Sequence, residues 1–385
     1  MRRVDISLFL DNFEEGGVQR AFLNLAKSFI ARNFEVDLVL LKVEGSFLDQ
    51  IPDELRVVDL DNPRLRASIF VLANYLRREK PKALLASLHF STEIAILAKH
   101  IAGVSTKVVV CEQGSLEASK ISHFSVRNLP GFLGLTPYNA TTLVRYLYRF
   151  ADEVVGVSKG TANDVAEVMG CPSSRVKVIY NPVITSELIE KAKKSIQHPW
   201  FQQNQPPVIL AAGRLVEQKD FPMLIRAFSQ IKQSISARLM ILGTGPDRSH
   251  LERLIQQLGL EADVAMPGFV ENPYAYMAKS AVFAMSSAWE GLPFVLIEAM
   301  ATGVPVVSTD CKHGPAEILD DGKYGALVPV GNQHAMEKAL LKALSGEVKP
   351  ADPNWLEQFT VENVALQYLN VLGITIPDFI IVKYG

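Results

Sequence analysis

The amino-acid sequence predicts an α/β protein made of two doubly wound parallel-sheet halves. Two observations predict it. Short apolar runs of strand length alternate with helix-period segments along most of the chain, the signature of a parallel sheet covered on both faces. That pattern breaks at the polar, proline-containing stretch of residues 197–207 (QHPWFQQNQPP) and then starts again, as it does where one half gives way to a second.

Each element follows in order. Residues 4–10 read as a buried strand, followed by the loop of residues 11–17 and a helix over 18–31 with Phe22, Leu25, Ala26 and Phe29 on one face. Further strand and helix pairs are predicted at 35–42, 57–60 with 68–78, 83–88 with 92–101, and 107–111. Residues 152–157 and 175–179 read as the last strands of the first half. After Asn181-Pro182-Val183 comes a lysine-rich helix and then the polar stretch, the best linker candidate. The second half has strands at 208–212, 238–242, 282–286 and 305–308 and helices at 221–232, 248–258 and 293–301. A last helix near 361–372 has no packing partner legible from periodicity. The domains predicted are therefore 1–184, 185–360 and a C-terminal helix and tail, 361–385.

Composition bounds the function. A chain of 385 residues exceeds one ordinary domain, and 48% hydrophobic residues are enough to bury a core, which excludes disorder. With 39 basic against 41 acidic residues there is no basic field to attract nucleic acid. The three cysteines, Cys111, Cys171 and Cys311, are far apart and fit neither a disulfide framework nor a zinc site, which favours a reducing, cytoplasmic home. Asp5 interrupts the first apolar run, against a signal peptide. Residues 291–308 carry Glu298, two glycines and two prolines, against a membrane span.

Three segments carry chemistry. In SAWEGLPFVLIEAMATGVP, Glu290 lies in a strand-to-helix loop and Pro293 suits the first helical position. The free amides from Gly291 and Leu292 through Phe294 to Val295 then form a helix start that attracts anions. Glu298 follows about one turn later. A carboxylate accepts hydrogen bonds from paired hydroxyls, as ribose and sugars present them. The same two residues also fit a surface glutamate and an ordinary helical one. In AGRLVEQKD, Gly213 permits a tight turn, and Arg214 and Lys219 can neutralise a diphosphate without metal; solvated surface charges are the plain alternative. In NFEEGGVQR, Gly16 and Gly17 precede a helix and allow backbone to approach a phosphate. Neither this pair nor Gly243-Thr244-Gly245 makes the GxGxxG dinucleotide fingerprint, so a Rossmann oxidoreductase is the weakest reading.

Together these segments resemble glycosyltransferase family 4 over nearly the whole chain. The strongest match is E-x7-E, Glu290 to Glu298, within WEGLPFVLIEAMATGVPVV. GGVQR, VSKG, NPV, GRLVEQKD, LGTGP, GFVENP and GPAEILDDGKYGALVP support it. The resemblance implies a GT-B fold and a retaining, metal-independent transferase with a nucleotide-sugar donor, UDP-linked, as substrate and no cofactor. It implies that Arg214 and Lys219 hold the diphosphate, Glu290 the donor-sugar hydroxyls and Glu298 the ribose. Gly16 and Gly17 would close over the phosphates, Val270 would line the base pocket, and the last helix would cross back to the N-terminal domain.

The sequence departs from the family where relatives carry a histidine after the fifth strand. Here the segment reads VCEQGS, so Glu112 or Gln113 takes that place, or His89 at the end of the preceding strand. Asp59-Leu60-Asp61 spells a DxD, but its position favours a strand-end turn. In the front-face mechanism for this fold the leaving phosphate takes the acceptor proton, which suits the lack of an evident side-chain base. The function expected is transfer of a sugar to a glycan or lipid-linked acceptor for a surface polysaccharide or glycolipid; a GT-B epimerase or a non-catalytic sugar-nucleotide binder are alternatives. Residues 125–150 interleave Arg127, Arg145 and Arg149 with Phe132, Leu133, Leu135, Tyr138, Tyr146, Tyr148 and Phe150 and hold no acid. That pattern, with a mean hydropathy of +0.15, suits peripheral contact with the inner face of the plasma membrane. A helix packed on the sheet with solvated arginines suits it too.

Overall fold

The computed structural model describes residues 3–14, 16–45, 47–61, 65–114 and 140–375. The chain divides into two compact units, Met1–Pro182 with Val361–Gly385, and Val183–Thr360.

The first unit runs through β1 (Ile6–Leu10), α1 (Gly17–Ala31), β2 (Val36–Leu40), β3 (Arg56–Asp59), α2 (Leu65–Glu79), β4 (Ala83–Ser87), α3 (His89–Ala102), β5 (Lys107–Glu112), α4 (Ala140–Leu147), β6 (Glu153–Gly156), α5 (Lys159–Met169) and β7 (Val176–Val178). Its sheet has the order β3-β2-β1-β4-β5-β6-β7, and every pair is parallel. Parallel sheets carry helices on both faces, so their central strands are mostly apolar; β1, β2 and β4 are buried at every residue, Ser7, Asp37 and Ser87 included. The strand order reverses between β1 and β4, which opens a crevice at their carboxyl ends. Helix α5 was not foreseen, although Ser158 caps it by accepting from the Thr161 amide at 3.0 Å and Gly170 ends it in the left-handed region.

The second unit holds α6 (Ser186–Ala192), β8 (Val208–Ala212), α7 (Phe221–Ser234), β9 (Arg238–Leu242), α8 (Arg248–Gln257), β10 (Val264–Gly268), α9 (Pro273–Lys279), β11 (Val282–Met285), α10 (Phe294–Ala301), β12 (Val306–Thr309), α11 (Pro315–Ile318), β13 (Ala326–Val328), α12 (Gln333–Leu344) and α13 (Pro353–Leu356). Its parallel sheet has the order β10-β9-β8-β11-β12-β13, so its switch point lies between β8 and β11. The stretch 197–207, read as a linker, lies inside this unit. There Phe201 packs edge-on to Tyr276 and the Arg238 guanidinium sits over the Trp200 ring, 4.9 Å from its centroid. The core under the sheet joins Phe221, Leu224 and Phe228 of α7 to Met336 and Leu340 of α12.

The last helix, α14 (Val361–Leu372), packs on α1, β4 and β5 of the first unit. Val364, Ala365, Tyr368, Leu369 and Leu372 form its buried face at helical spacing. The Tyr368 hydroxyl lies 3.2 Å from the Cys111 sulfur at the end of β5. Tyr368→Ala removes a fully buried ring and should destabilise the first unit by about 3–5 kcal/mol, whereas Tyr368→Phe loses only a hydrogen bond, about 1 kcal/mol. Urea unfolding of the two variants measures the difference; equal losses would refute this account of α14.

Candidate functional site

In the second unit, Gly213, Arg214 and Lys219 follow β8 and Glu290 follows β11, the two strands at the switch point of the sheet. Beyond β8, the Gly213 amide donates to the Leu242 carbonyl at 3.0 Å, and beyond β9 the Gly243 amide donates to Gly268 at 2.8 Å. Gly243 has φ +125, and a Cβ there would stand 2.0 Å from the Gly213 oxygen, so only glycine fits. The two turns are locked further by the Leu215 amide donating to Thr244 at 2.8 Å and the Asp247 amide donating to Leu215 at 3.1 Å. Arg214 leaves this double turn exposed. Residues Glu217–Lys219 form a 3-10 turn, after which Asp220 caps α7 by accepting from the Met223 amide at 3.3 Å.

The segment after β11 lies against that turn. The Ser286 hydroxyl donates to the Lys219 carbonyl at 2.6 Å and the Ala288 amide to the Gln218 carbonyl at 2.8 Å. Thr309, at the end of β12, donates to the Ser287 carbonyl at 2.6 Å. These bonds bring Glu290 to Lys219, whose ammonium donates to one carboxylate oxygen at 2.5 Å; the two side chains are 10% and 17% exposed, so water screens the pair little. The Gln218 amide donates to the Trp289 carbonyl at 2.8 Å and lies 3.4 Å from the other Glu290 oxygen.

Helix α10 begins at Phe294, with Pro293 as its N-cap in extended conformation. The sequence placed Pro293 one residue inside the helix. The loop beyond β12 lies close against this start: a Cβ on Gly314 (φ +92) would be 2.5 Å from the Pro293 ring and 3.1 Å from the Gly291 oxygen. Leu292 is buried, and Phe294 and Val295 are half-buried. The cap has no side-chain hydrogen bond, which leaves first-turn amides for an anion. Glu298 is buried and accepts from the Tyr274 hydroxyl of α9 at 3.1 Å. The two glutamates thus have different settings, one paired to a cation and one behind the helix against a phenol. Val270 is half-buried beyond β10, beside Phe269, which is 65% exposed.

In the first unit, Gly16 caps α1 with no side-chain bond and Gly17 is its first residue. His89 is the first residue of α3, which starts three residues before the predicted 92 because Leu88 turns the chain with φ +73. Glu112 is buried and accepts a hydrogen bond from Tyr148, whose hydroxyl also lies 2.8 Å from Thr92 Oγ1. The Gln113 side chain accepts from Asn181 at 2.9 Å and donates to the Cys111 sulfur at 3.4 Å. Glu112, the last residue of β5, and Gln113, just beyond it, are therefore both engaged within the unit. Asp59 Oδ1 accepts from the Asp61 amide at 2.8 Å, which makes the DxD a strand-end turn. Among the described residues, no three His, Cys, Asp or Glu side chains cluster as metal ligands would.

Residues 125–139 of the aromatic and basic segment lie outside the described residues. Of the remainder, Tyr148 is turned inward, a correction to its reading as a surface aromatic, while Tyr146 and Phe150 are 55% and 54% exposed beside exposed Arg145 and Arg149. No described helix is long and apolar enough to cross a membrane.

Sequence reasoning missed Gln218, Tyr274 and Thr309 as parts of the site, and took Cys311 only as an isolated thiol. Gln218 carried a signal, since it adjoins Lys219; Tyr274 carried none, because α9 was not foreseen. Burial, with the Glu290 charge next, pushes the Cys311 thiol up to about 12, and burial pushes Cys111 up to about 12. An unfolded thiol ionises near pH 8.5. Between those values the unfolded state binds fewer protons, so stability falls as pH rises. The urea midpoint should drop between pH 8 and 10, less so in Cys311→Ser, and folded protein at pH 8 should resist iodoacetamide at both thiols. Rapid labelling of Cys311 without unfolding would contradict its buried setting.

Residues 15–187 match the model described as Glycosyltransferase Family 4 and residues 192–355 the one described as Glycosyl transferases group 1. A Campylobacter jejuni protein, N-acetylgalactosamine-N,N'-diacetylbacillosaminyl-diphospho-undecaprenol 4-alpha-N-acetylgalactosaminyltransferase, is 29% identical over 354 residues, covering 89% of this chain and 90% of its own. The Rhizobium meliloti lipopolysaccharide core biosynthesis glycosyltransferase LpsE is 25% identical over 372 residues, 94% of this chain and 96% of that one. Among solved structures, Anabaena HepE in complex with UDP has a TM-score of 0.77 at 22% identity, covering 96% of this chain and 100% of that one. The lipopolysaccharide outer core galactosyltransferase WaaB, apo form, has a TM-score of 0.72 at 20% identity, covering 96% and 99%. These two are likenesses of fold.

Proposed function

The chain belongs to glycosyltransferase family 4 and has the GT-B fold, and from that premise we propose that it is a retaining, metal-independent transferase. It moves a sugar from a UDP-linked donor to a lipid-linked glycan acceptor in surface-polysaccharide or glycolipid assembly. The observation that carries this reading is the Lys219–Glu290 pair at the β8/β11 switch point. One position offers a cation for a departing diphosphate and a carboxylate for sugar hydroxyls. The acceptor class rests on the Campylobacter and Rhizobium relatives, whose names specify a diphospho-undecaprenol substrate and lipopolysaccharide core. The UDP complex of HepE supports the nucleotide.

The chemistry follows from the charges. As the bond from the anomeric carbon to the phosphate oxygen breaks, negative charge grows on the diphosphate. Arg214, Lys219 and the uncapped start of α10 receive it. The acceptor oxygen bonds to the same face of the sugar, and its proton passes to the departing phosphate oxygen. Glu290 holds the donor-sugar hydroxyls, Glu298 the ribose, and Val270 lines the base. His89, Glu112 and Gln113, at the carboxyl ends of β4 and β5, supply the acceptor side, and Gly16 and Gly17 offer amides to a phosphate.

Replacing Arg214 or Lys219 by Ala should weaken UDP binding by about 1.5–3 kcal/mol, the worth of a hydrogen bond to a charged group. Glu290→Gln should lower turnover with UDP still bound, and Glu298→Gln should weaken UDP itself. Calorimetry with UDP and release of UDP from a panel of UDP-sugars, with and without chelator, measure all of this. Activity abolished by chelator and restored by manganese would sink metal independence, and loss of UDP binding in Glu290→Gln would reverse the two glutamates.

Exposed Tyr146 and Phe150 beside Arg145 and Arg149 support peripheral attachment at the cytoplasmic face of the inner membrane. Each arginine near an anionic surface is worth about 1 kcal/mol. Co-sedimentation with anionic vesicles should therefore drop when Arg145 and Arg149 become Glu, while neutral vesicles should show no such change. Equal pelleting of both proteins would remove the electrostatic contact.

A further inference from the structure

We propose that Gln218 is a positioning residue for the transfer step, holding Glu290 in its sugar-binding orientation while Lys219 exchanges partners. The inference rests on the donor-site reading above and adds a residue to it. Three contacts carry it. The Gln218 carbonyl accepts from the Ala288 amide at 2.8 Å, and its side-chain amide donates to Trp289 O at 2.8 Å and lies 3.4 Å from Glu290 Oε2. One residue thus spans three successive residues of the segment that ends in Glu290. The backbone before that segment is already held by Ser286 and Thr309, so the side chain of Gln218 is not needed to anchor the loop as a whole. Its reach is to the last two residues.

The carboxylate of Glu290 is shared between two unlike donors. Lys219 takes Oε1 with a full charge at 2.5 Å; Gln218 approaches Oε2 with a neutral amide. A diphosphate is the stronger claimant on Lys219, because it carries more charge than one carboxylate. When Lys219 turns to it, Glu290 loses its ionic partner at the moment it must accept from sugar hydroxyls. Gln218 stays. Its planar NH2 presents two hydrogens in a fixed fork, one to the Trp289 carbonyl and one to the carboxylate, so the rotamer of Glu290 is tied to its own preceding peptide. The residue type matters. A lysine at 218 would neutralise Glu290 and weaken it as an acceptor, and a glutamate would repel it. The turn that bears Gln218 is itself rigid, closed by Lys219 N to Val216 O and Asp220 N to Glu217 O, both 3.0 Å.

The test uses the full chain, with UDP as the binding probe and UDP release from UDP-glucose, UDP-galactose and their N-acetylamino counterparts as turnover. Gln218→Ala should lower kcat at least tenfold, with Kd for UDP within twofold of wild type and an unchanged melting temperature. Gln218→Glu should lose more at neutral pH and recover part of the loss on the acid limb of its pH profile, as the repulsion is relieved by protonation. In a Glu290→Ala background Gln218→Ala should cost nothing further. Gln218→Ala turnover within twofold of wild type, alongside an inactive Glu290→Ala, overturns the positioning role alone. A Glu290→Ala that keeps wild-type turnover overturns the donor-site reading instead. Should wild type release no UDP from any of the four donors, crystals of wild type and of Gln218→Ala, each with UDP bound, decide: a Glu290 side chain turned away from its wild-type rotamer in the variant supports the proposal, and the same rotamer in both overturns it.

Discussion

An ion pair between Lys219 and Glu290, 71 residues apart in the chain and 2.5 Å apart in the fold, is the contact on which the loops after β8 and β11 converge. Burying two charges is costly unless each is matched. The matching requires β8 and β11 to be neighbours, and the sheet order β10-β9-β8-β11-β12-β13 makes them so. It also requires the loops after those strands to meet closely. Gly243, where any Cβ would strike the Gly213 backbone, allows the loops after β8 and β9 to interlock. Gly314 does the same for the loop after β12 and the start of α10.

The first unit shows the opposite use of polar groups. Its acidic and amide side chains at the end of β5 face protein partners: Glu112 holds Tyr148, and Gln113 joins Asn181 to Cys111. Buried polar groups of this kind are stable only when satisfied. They set the shape of the carboxyl end of the sheet and tie it to the chain at Asn181 and, through the Tyr368 hydroxyl, to α14. A similar network, Arg56 and Tyr75 on the Asp37 carboxylate, holds β2, β3 and α2 together at the other edge of the sheet.

Legibility in the sequence followed the strength of local signals. Strands such as β8 and β9 are continuous apolar runs bounded by turn residues, and their predicted ends coincide with the observed ones. β10 was missed because it contains Pro267, holds partly exposed residues and breaks register between Ala265 and Gly268. α9 has only seven residues, under two turns, too few for a period to register. α12 is long enough, and Met336, Ala339, Leu340 and Ala343 form a face legible at helical spacing. Within the site, the charged residues stood out by type and spacing, whereas Tyr274 and Thr309 are ordinary residues whose importance comes only from what they face.

What the sequence determined by itself was the alternation of strands and helices, the glycine turns and the spacing of Glu290 from Glu298, because each is a property of residues within a turn or two of one another. Hydrophobic period, glycine freedom and helix capping are local physics, and local physics is written along the chain. The tertiary structure alone decided which partner each group keeps: Lys219 and Gln218 on Glu290, Tyr274 on Glu298, Tyr148 on Glu112, Tyr368 on Cys111. Those pairings depend on strand order and on the close approach of loops far apart in sequence. Both are settled by packing two faces of a sheet at once, a condition that no window of the sequence contains.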